Sequence, residues 1–317
     1  MHFAFPPRKS SNPPPYAMRS SRSYAGSRFF TRASRLQQLL VVVLGAFTTI
    51  WLVARLFGGS SAPSIPAGTP RAVVVTTIDP SLSPSYKEAI KSNRKHYAEK
   101  HGYVAFFPNT TDYPLDNAPG SWSTVPALRH AMSLYPHTPL VFYLTSTALI
   151  MNPSLDLETH IMNPARLESL MIVDKPVVPP DSVIRTFSHL KGDRIDFVLT
   201  QDSEGLAGGS MIIRNGEWAK FFLDAWFDPM YRSYNFQKAE AHALEHIVQW
   251  HGTMLAKLAL IPQRILNSYT TGNIEGVYQE GDFVANFHGC IRDPSRNCEE
   301  EIQPLLTRWR EIRDRER

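Results

Sequence analysis

Three short apolar runs, separated by two stretches of helical character, constrain the fold of this chain more than any other feature. Ala72-Val-Val-Val-Thr-Thr77, Tyr103-Val-Ala-Phe-Phe107 and Leu140-Val-Phe-Tyr-Leu144 are short and rich in β-branched or aromatic residues, as buried strands are. Between the first two lies Pro84–Lys100, a polar helical stretch that Ser83 can cap and Pro84 can begin. Between the second and third, Val125–Leu134 reads as a helix stopped by Pro136. A β-α-β-α-β order implies right-handed crossovers and parallel pairing. Ligands of such sheets bind beyond the carboxyl ends of strands, and Thr145-Ser146-Thr147 occupies such an end.

Further on, Ser210–Ile213 reads as a strand entered through Gly208-Gly209. Glu217–Asp228 and Ala239–Trp250 read as amphipathic helices, and Leu305–Arg317 as a charged surface helix. Trp218, Phe221, Phe222 and Trp226 stand at helical spacing and belong to a core. Trp122 and Tyr113, in a polar loop, are the candidates for stacking on a sugar. No internal repeat or second linker interrupts residues 71–317, which form one α/β domain.

The amino-terminal part differs in kind. Residues 1–71 carry nine Lys or Arg and no acid. Residues 1–35 are a basic tail predicted to be disordered, 36–57 an apolar segment, and 58–70 a Gly/Ser/Ala/Pro stem. As a helix the 22-residue segment reaches about 33 Å, enough for a single membrane span with Arg55 snorkelling at its end. Seven cations precede it, so the expected topology is type II, with a cytoplasmic tail and a lumenal domain. A cleaved signal peptide is the alternative, against which stand the long basic lead and the long apolar run. The sequence pI of 9.0 belongs to this region. Residues 72–317 hold 24 Lys and Arg against 29 Asp and Glu, a net of −5, which argues against nucleic acid as a partner.

Cys290 and Cys298 are the only cysteines, and a lumenal setting predicts a disulfide between them rather than two free thiols. Asn109-Thr110-Thr111 is the one usable glycosylation sequon. His242-Ala-Leu-Glu-His246 matches a short zinc-peptidase pattern, with Glu245 as the base and Glu299, Glu300 or Glu301 as a third ligand. That loose pattern gives a remote alternative function. Gly208-Gly209 lacks the lysine and helix start of a phosphate loop, and instead would let a strand approach a ribose closely.

Five segments, Phe142–Pro153, Gly205–Asn215, Ala243–Trp250, Ile261–Tyr269 and Gly281–Cys290, together resemble the fungal Golgi galactosyl- and mannosyltransferases of glycosyltransferase family 34. Ala148-Leu-Ile-Met-Asn-Pro153, Ala243-Leu-Glu-His-Ile-Val-Gln-Trp250 and Pro262-Gln-Arg-Ile-Leu-Asn-Ser-Tyr269 are most similar to the α-1,6-mannosyltransferase branch. The resemblance implies a GT-A fold, a Rossmann-like mixed sheet flanked by helices, on a single amino-terminal transmembrane helix. It also implies a Golgi location and transfer of a hexose from GDP-mannose or UDP-galactose to a glycan. Active relatives use Mn²⁺.

Departures from the family pattern fall on its chemistry. Thr145 and Thr147 stand where the family shows an Asp-x-Asp pair. In Gly205-Leu-Ala-Gly-Gly-Ser210, Ala207 replaces a polar amide beside Gly208 and Gly209, and Ala241 stands where a Gln is usual. Asn286 takes the place of a metal-binding His, with His288 two residues on as a partial substitute if Phe287 lies on a strand. These eight residues form the expected degenerate donor site. Hydroxyls and amides are weak ligands for a hard dication, so no cofactor is expected to bind tightly. No Arg or Lys adjoins residues 145–147 in sequence to replace the metal. A catalytically silent subunit beside active mannosyltransferases is the alternative function.

Overall fold

The computed structural model describes residues 35–57, 65–179, 182–234, 236–272 and 274–316. Two compact units divide the chain, Met1–Ser64 and Ile65–Arg317. In the first, Arg35–Phe57 is one 23-residue α-helix with exposed apolar side chains such as Leu39, Val42, Phe47 and Ile50. Among the described residues no helix is long and apolar enough to cross a membrane. Side chains at 36, 38, 53, 54, 56 and 57 of the expected span lie outside the described residues, as do the tail before 35 and residues 58–64 of the stem.

The second unit is built on a six-stranded sheet. Its strands are β1 (Ala72–Val75), β2 (Val104–Phe106), β3 (Leu140–Leu144), β5 (Phe197–Asp202), β6 (Gly205–Arg214) and β7 (Leu258–Leu260), in the order β2-β1-β3-β6-β5-β7. β1 lies parallel to β2 and β3, as the crossover pattern requires. β6 runs antiparallel to both β3 and β5, so the sheet is mixed. A second sheet of three strands, β4 (Ala148–Ile150), β8 (Ser268–Tyr269) and β9 (Val284–Asn286), has β9 in its centre. The stretch after Leu144 is therefore a three-residue turn between two sheets.

Strand alternation divides the core. Val73, Val75, Val141 and Tyr143 face a layer made by the helices Thr124–Leu134, Glu217–Trp226 and Glu240–Trp250. Ala72, Val74, Leu140, Phe142 and Leu144 face the opposite layer, with Tyr97 and Ala98 of helix Pro84–His101. That helix begins as its sequence predicts, with Ser83 Oγ accepting from the Tyr86 amide at 3.2 Å. Phe222 and Trp226 are buried and Trp218 stacks on Phe222 at 5.1 Å, while Phe221 is exposed and leaves the expected core set. Of the two stacking candidates, Trp122 falls away, while Tyr113 keeps a half-buried ring. Trp122 is buried in the core with 1% exposure, and the Tyr113 hydroxyl is engaged by His130 Nδ1 at 3.1 Å.

Candidate functional site

A cleft of about 440 Å³ opens at the carboxyl ends of β1 and β3. All eight expected donor-site residues line it: Thr145, Thr147, Ala207, Gly208, Gly209, Ala241, Asn286 and His288. Pairing places them. Antiparallel register sets Ala148 opposite Asn286, which carries Asn286 alongside the turn. β6 brings Gly209 under the same turn, where the Thr145 amide donates to the Gly209 carbonyl at 2.9 Å. A Cβ at Gly209 would lie 2.5 Å from Asn286 Nδ2. Gly209 thus makes room for the Asn286 amide.

Thr145, Thr147 and Asn286 form a closed neutral chain. Thr147 Oγ1 donates to Asn286 Oδ1 at 3.1 Å and lies 3.5 Å from Thr145 Oγ1. Asn286 Nδ2 donates to Asn267 Oδ1 at 2.9 Å. Both amide atoms of Asn286 are therefore engaged. Beneath the turn lies a cation that sequence adjacency does not reveal. Arg94 is fully buried and donates from Nη2 to the Thr145 carbonyl at 2.8 Å, from Nη1 to Asn93 Oδ1 at 2.9 Å and from Nε to Thr76 Oγ1 at 3.3 Å. Burial lowers its pKa to about 9. A trace of this was present in the sequence: Asn93 and Arg94 share the inward face of their helix with Ile90, Tyr97 and Ala98. Polar residues on an otherwise apolar face are held there by partners.

These donors do not fit Mn²⁺. Hard dications are bound by several oxygens, carboxylates foremost. Here two hydroxyls and an already committed amide stand over a buried guanidinium. Among the described residues no three His, Cys, Asp or Glu side chains converge as a metal-binding group. His288 does not take over the lost position. β9 ends at Asn286, so Phe287 is off the strand, and the His288 ring stacks on Tyr269 at 4.4 Å and 2°. Burial lowers the His288 pKa, with Asp202 opposing and Arg292 reinforcing the shift.

A second hollow of about 710 Å³ shares Asp202, Glu204, Tyr269, His288 and Arg292 with the cleft. Asp202 at the end of β5 accepts from the Tyr269 hydroxyl at 2.7 Å and from the amides of Glu204 and Gly205 at 2.8 and 3.0 Å. Burial, then the Asp202 charge, raises the Tyr269 pKa. Lys238 Nζ lies 3.2 Å from Glu204 Oε2. Glu240 receives a hydrogen bond from Ser121 Oγ, and burial raises its pKa. Glu240, Asp202 and Arg94 were all missed from sequence, because each reaches the site only through the tertiary fold.

The zinc-peptidase pattern is not a site. Glu245 accepts from the Leu206 amide at 3.0 Å, and His246 packs between the rings of Tyr231 and Trp250. Glu299 instead binds Ser83, and Glu301 binds Arg296. Cys290 and Cys298 are joined by a disulfide with Cα atoms 5.2 Å apart. Asn109 is exposed and leads a short turn, its amide donating to Asp112 Oδ2 at 2.7 Å.

Residues 68–299 match the model of the galactosyl transferase GMA12/MNN10 family. Over 206 residues the chain is 33% identical to an uncharacterised α-1,2-galactosyltransferase of Schizosaccharomyces pombe, covering 65% of this chain and 63% of that one. It is 30% identical over 231 residues to the probable α-1,6-mannosyltransferase MNN10 of Saccharomyces cerevisiae, covering 68% and 58%. The chain thus spans less than two thirds of the length of either relative. The fold is similar to that of a solved glycosyltransferase involved in glycosylation of the major capsid of PBCV-1. There the TM-score is 0.52 and the identity 11%, over 75% of this chain and 100% of that one. Five motif segments in series, one GT-A-like α/β frame and a cleft walled by the motif positions agree with the family match: the chain belongs to the galactosyl transferase GMA12/MNN10 family.

Proposed function

We propose that this chain is a Golgi membrane protein of type II topology whose large domain takes a nucleotide sugar, GDP-mannose or UDP-galactose, and transfers its hexose to a glycan without a tightly held metal. The observation that carries this reading is the open cleft of about 440 Å³ at the carboxyl ends of β1 and β3, walled by the family's motif positions. In such a transfer the leaving diphosphate gains charge that the protein must neutralise. Thr145, Thr147 and Asn286 offer only dipoles. Lys238 and Arg292 are the cations on the cleft wall, and Lys238 is already paired with Glu204. This chain therefore has less electrostatic help than a metal clamp would give, and slow transfer is the expected result.

The neutral Thr145–Thr147–Asn286 chain favours a second reading, a silent subunit that assembles with active mannosyltransferases. One experiment separates them. The full-length protein in detergent is incubated with each nucleotide sugar and an α-mannoside acceptor, with EDTA or with Mn²⁺. Transfer that persists in EDTA supports the first reading. Nucleotide binding without transfer leaves the silent subunit. Protease treatment of sealed microsomes tests the topology, because digestion of the large domain without detergent is incompatible with a lumenal placement.

A further inference from the structure

We propose that Asn109 carries an N-linked oligosaccharide that covers the open edge of the six-stranded sheet at β2. This rests on the lumenal placement proposed above, and not on sugar transfer by the chain. Asn109-Thr110-Thr111 has the acceptor pattern, with no proline in its middle. Folding leaves Asn109 and Thr111 exposed. The Asn109 backbone is extended, with φ −79° and ψ 150°, and runs beside Ile78. There the Ile78 amide donates to the Pro108 carbonyl at 2.9 Å, and the Thr110 amide donates to the Ile78 carbonyl at 3.0 Å. Thr110 lines the cleft. Alternation along the extended segment turns Asn109 away from it, so a glycan there leaves the cleft entrance clear. The Cys290–Cys298 disulfide fits the oxidising compartment in which such glycans are attached. In the attachment, the Asn109 amide nitrogen bonds to C1 of an oligosaccharide carried on a lipid diphosphate. The C1–oxygen bond breaks, the diphosphate leaves with its electron pair, and the nitrogen gives up one proton. One N–H remains for Asp112 Oδ1, 3.4 Å from Nδ2.

The sheet's two edges show what the glycan does. β2 pairs with β1 on one side, and among the described residues no strand lies on its other side. An edge strand offers unpaired N–H and C=O groups to other chains unless charge, proline, a bulge or a covering segment blocks it. At the far edge β7 is covered. Its residues are buried, and the Leu260 carbonyl accepts from the Ile172 amide at 2.7 Å. β2 differs. Val104, Ala105 and Phe106 are only half-buried, and Val104-Ala-Phe-Phe107 contains neither a charge nor a proline. Short apolar runs of high β-propensity such as this one pair readily with strands of other chains. Asn109 follows the last residue of β2, Phe106, along the same edge, at about 10 Å for an extended chain. A bulky, hydrated oligosaccharide at that point stands where an added strand would lie.

The test uses the full-length protein from a eukaryotic secretory host. Peptide N-glycosidase in heavy-oxygen water is expected to lower its mass and to leave a labelled aspartate at position 109. Asn109→Gln and Thr111→Ala are each expected to lose the glycan, whereas Thr111→Ser keeps the sequon and retains it. In size exclusion in detergent, both glycan-free variants are expected to shift to earlier elution, with Thr111→Ser eluting as the native protein does. Enzymatic removal of the glycan from folded native protein gives the same reading without a substitution. Without association the glycan-free chain is smaller and elutes later, so the sign of the shift decides. Hydrogen exchange in the early-eluting species is expected to show added protection over residues 103–107. Unmodified Asn109 in a protease-protected lumenal domain overturns the proposal and leaves the topology standing. Unmodified Asn109 in a domain digested without detergent removes both. Later elution on loss of the glycan, or association with no added protection over residues 103–107, also overturns the proposal.

Discussion

Arg94 donates its Nη2 hydrogen to the carbonyl oxygen of Thr145 at 2.8 Å, from a position with no solvent exposure. The acidic groups acting on its charge are phenols, Tyr86 and Tyr143, rather than carboxylates. A guanidinium directly under the turn has the same sign as a metal ion placed above it. With aspartates at 145 and 147 the two positive charges would be balanced, and with threonines they are not. The departures from the family pattern thus take two negative charges away from the turn above a buried guanidinium as well as removing ligands.

The first prediction follows from that balance. Mn²⁺ is expected to leave nucleotide binding by the native chain unchanged in calorimetry. The variant Thr145→Asp/Thr147→Asp/Asn286→His supplies the missing charge and is expected to gain Mn²⁺-dependent binding. At a metal concentration near 100 times the dissociation constant it should also gain about 2.7 kcal/mol of stability. Metal-dependent transfer by the native protein would contradict the charge argument.

Gly209 supports a prediction about packing. An added Cβ would stand 2.5 Å from Asn286 Nδ2, and Asn286 is 1% exposed and tethered to both Thr147 and Asn267. Gly209→Ala is expected to cost about 1–3 kcal/mol, which lowers the melting temperature by roughly 2–4 °C per kcal/mol for a domain of this size. An unchanged melting temperature would show that Asn286 can move aside freely.

Ala239 gives a prediction of opposite sign. Its φ of 46° and ψ of −119° are readily adopted by glycine and disfavoured for alanine. Ala239→Gly releases strain of about 1–3 kcal/mol and adds unfolded-chain entropy worth about 0.4–1 kcal/mol. Net stabilisation near 1 kcal/mol is expected in denaturant unfolding, and a destabilised variant would count against the strain.

The fourth prediction concerns pH. Glu245 is 7% exposed, accepts from the Leu206 amide, and has its pKa raised above 4.5 by burial. Between 4.5 and that raised value the folded chain holds a proton that the unfolded chain has released. Stability contributed by the neutral carboxyl is therefore present below 4.5 and is lost as pH rises through the raised value. Glu245→Gln cannot ionise, so unfolding curves of the two proteins should diverge over this window, with the native chain losing stability relative to the variant. Parallel curves would place the Glu245 titration at its ordinary value.

Much of the frame was legible because strands and helices leave local periodic marks. β1, β3 and helix Pro84–His101 follow from runs of Val, Leu and Phe and from a Ser-Pro start. The eight family positions also proved to line one cleft. What stayed hidden was whatever depends on pairing between distant segments. β5 is absent from the sequence reading because Phe197–Asp202 ends in polar residues and has no turn glycine until Gly205. Arg94 looked like an ordinary helix cation, and Glu240 like a first-turn acid. Trp122 looked exposed because its neighbours are polar, yet its ring fills the core.

The hydrogen bond between Thr147 and Asn286 joins residues 139 apart in sequence, and Ala148 in β4 finds its strand partner only in β9. During synthesis, then, β4 waits unpaired while the rest of the domain emerges. At roughly 5–20 residues per second that interval is on the order of ten seconds. The floor of the cleft is among the last parts of the molecule to close. A chain that terminates before Val284 would keep much of its larger sheet and have no cleft floor, leaving a strand edge that invites association with other chains.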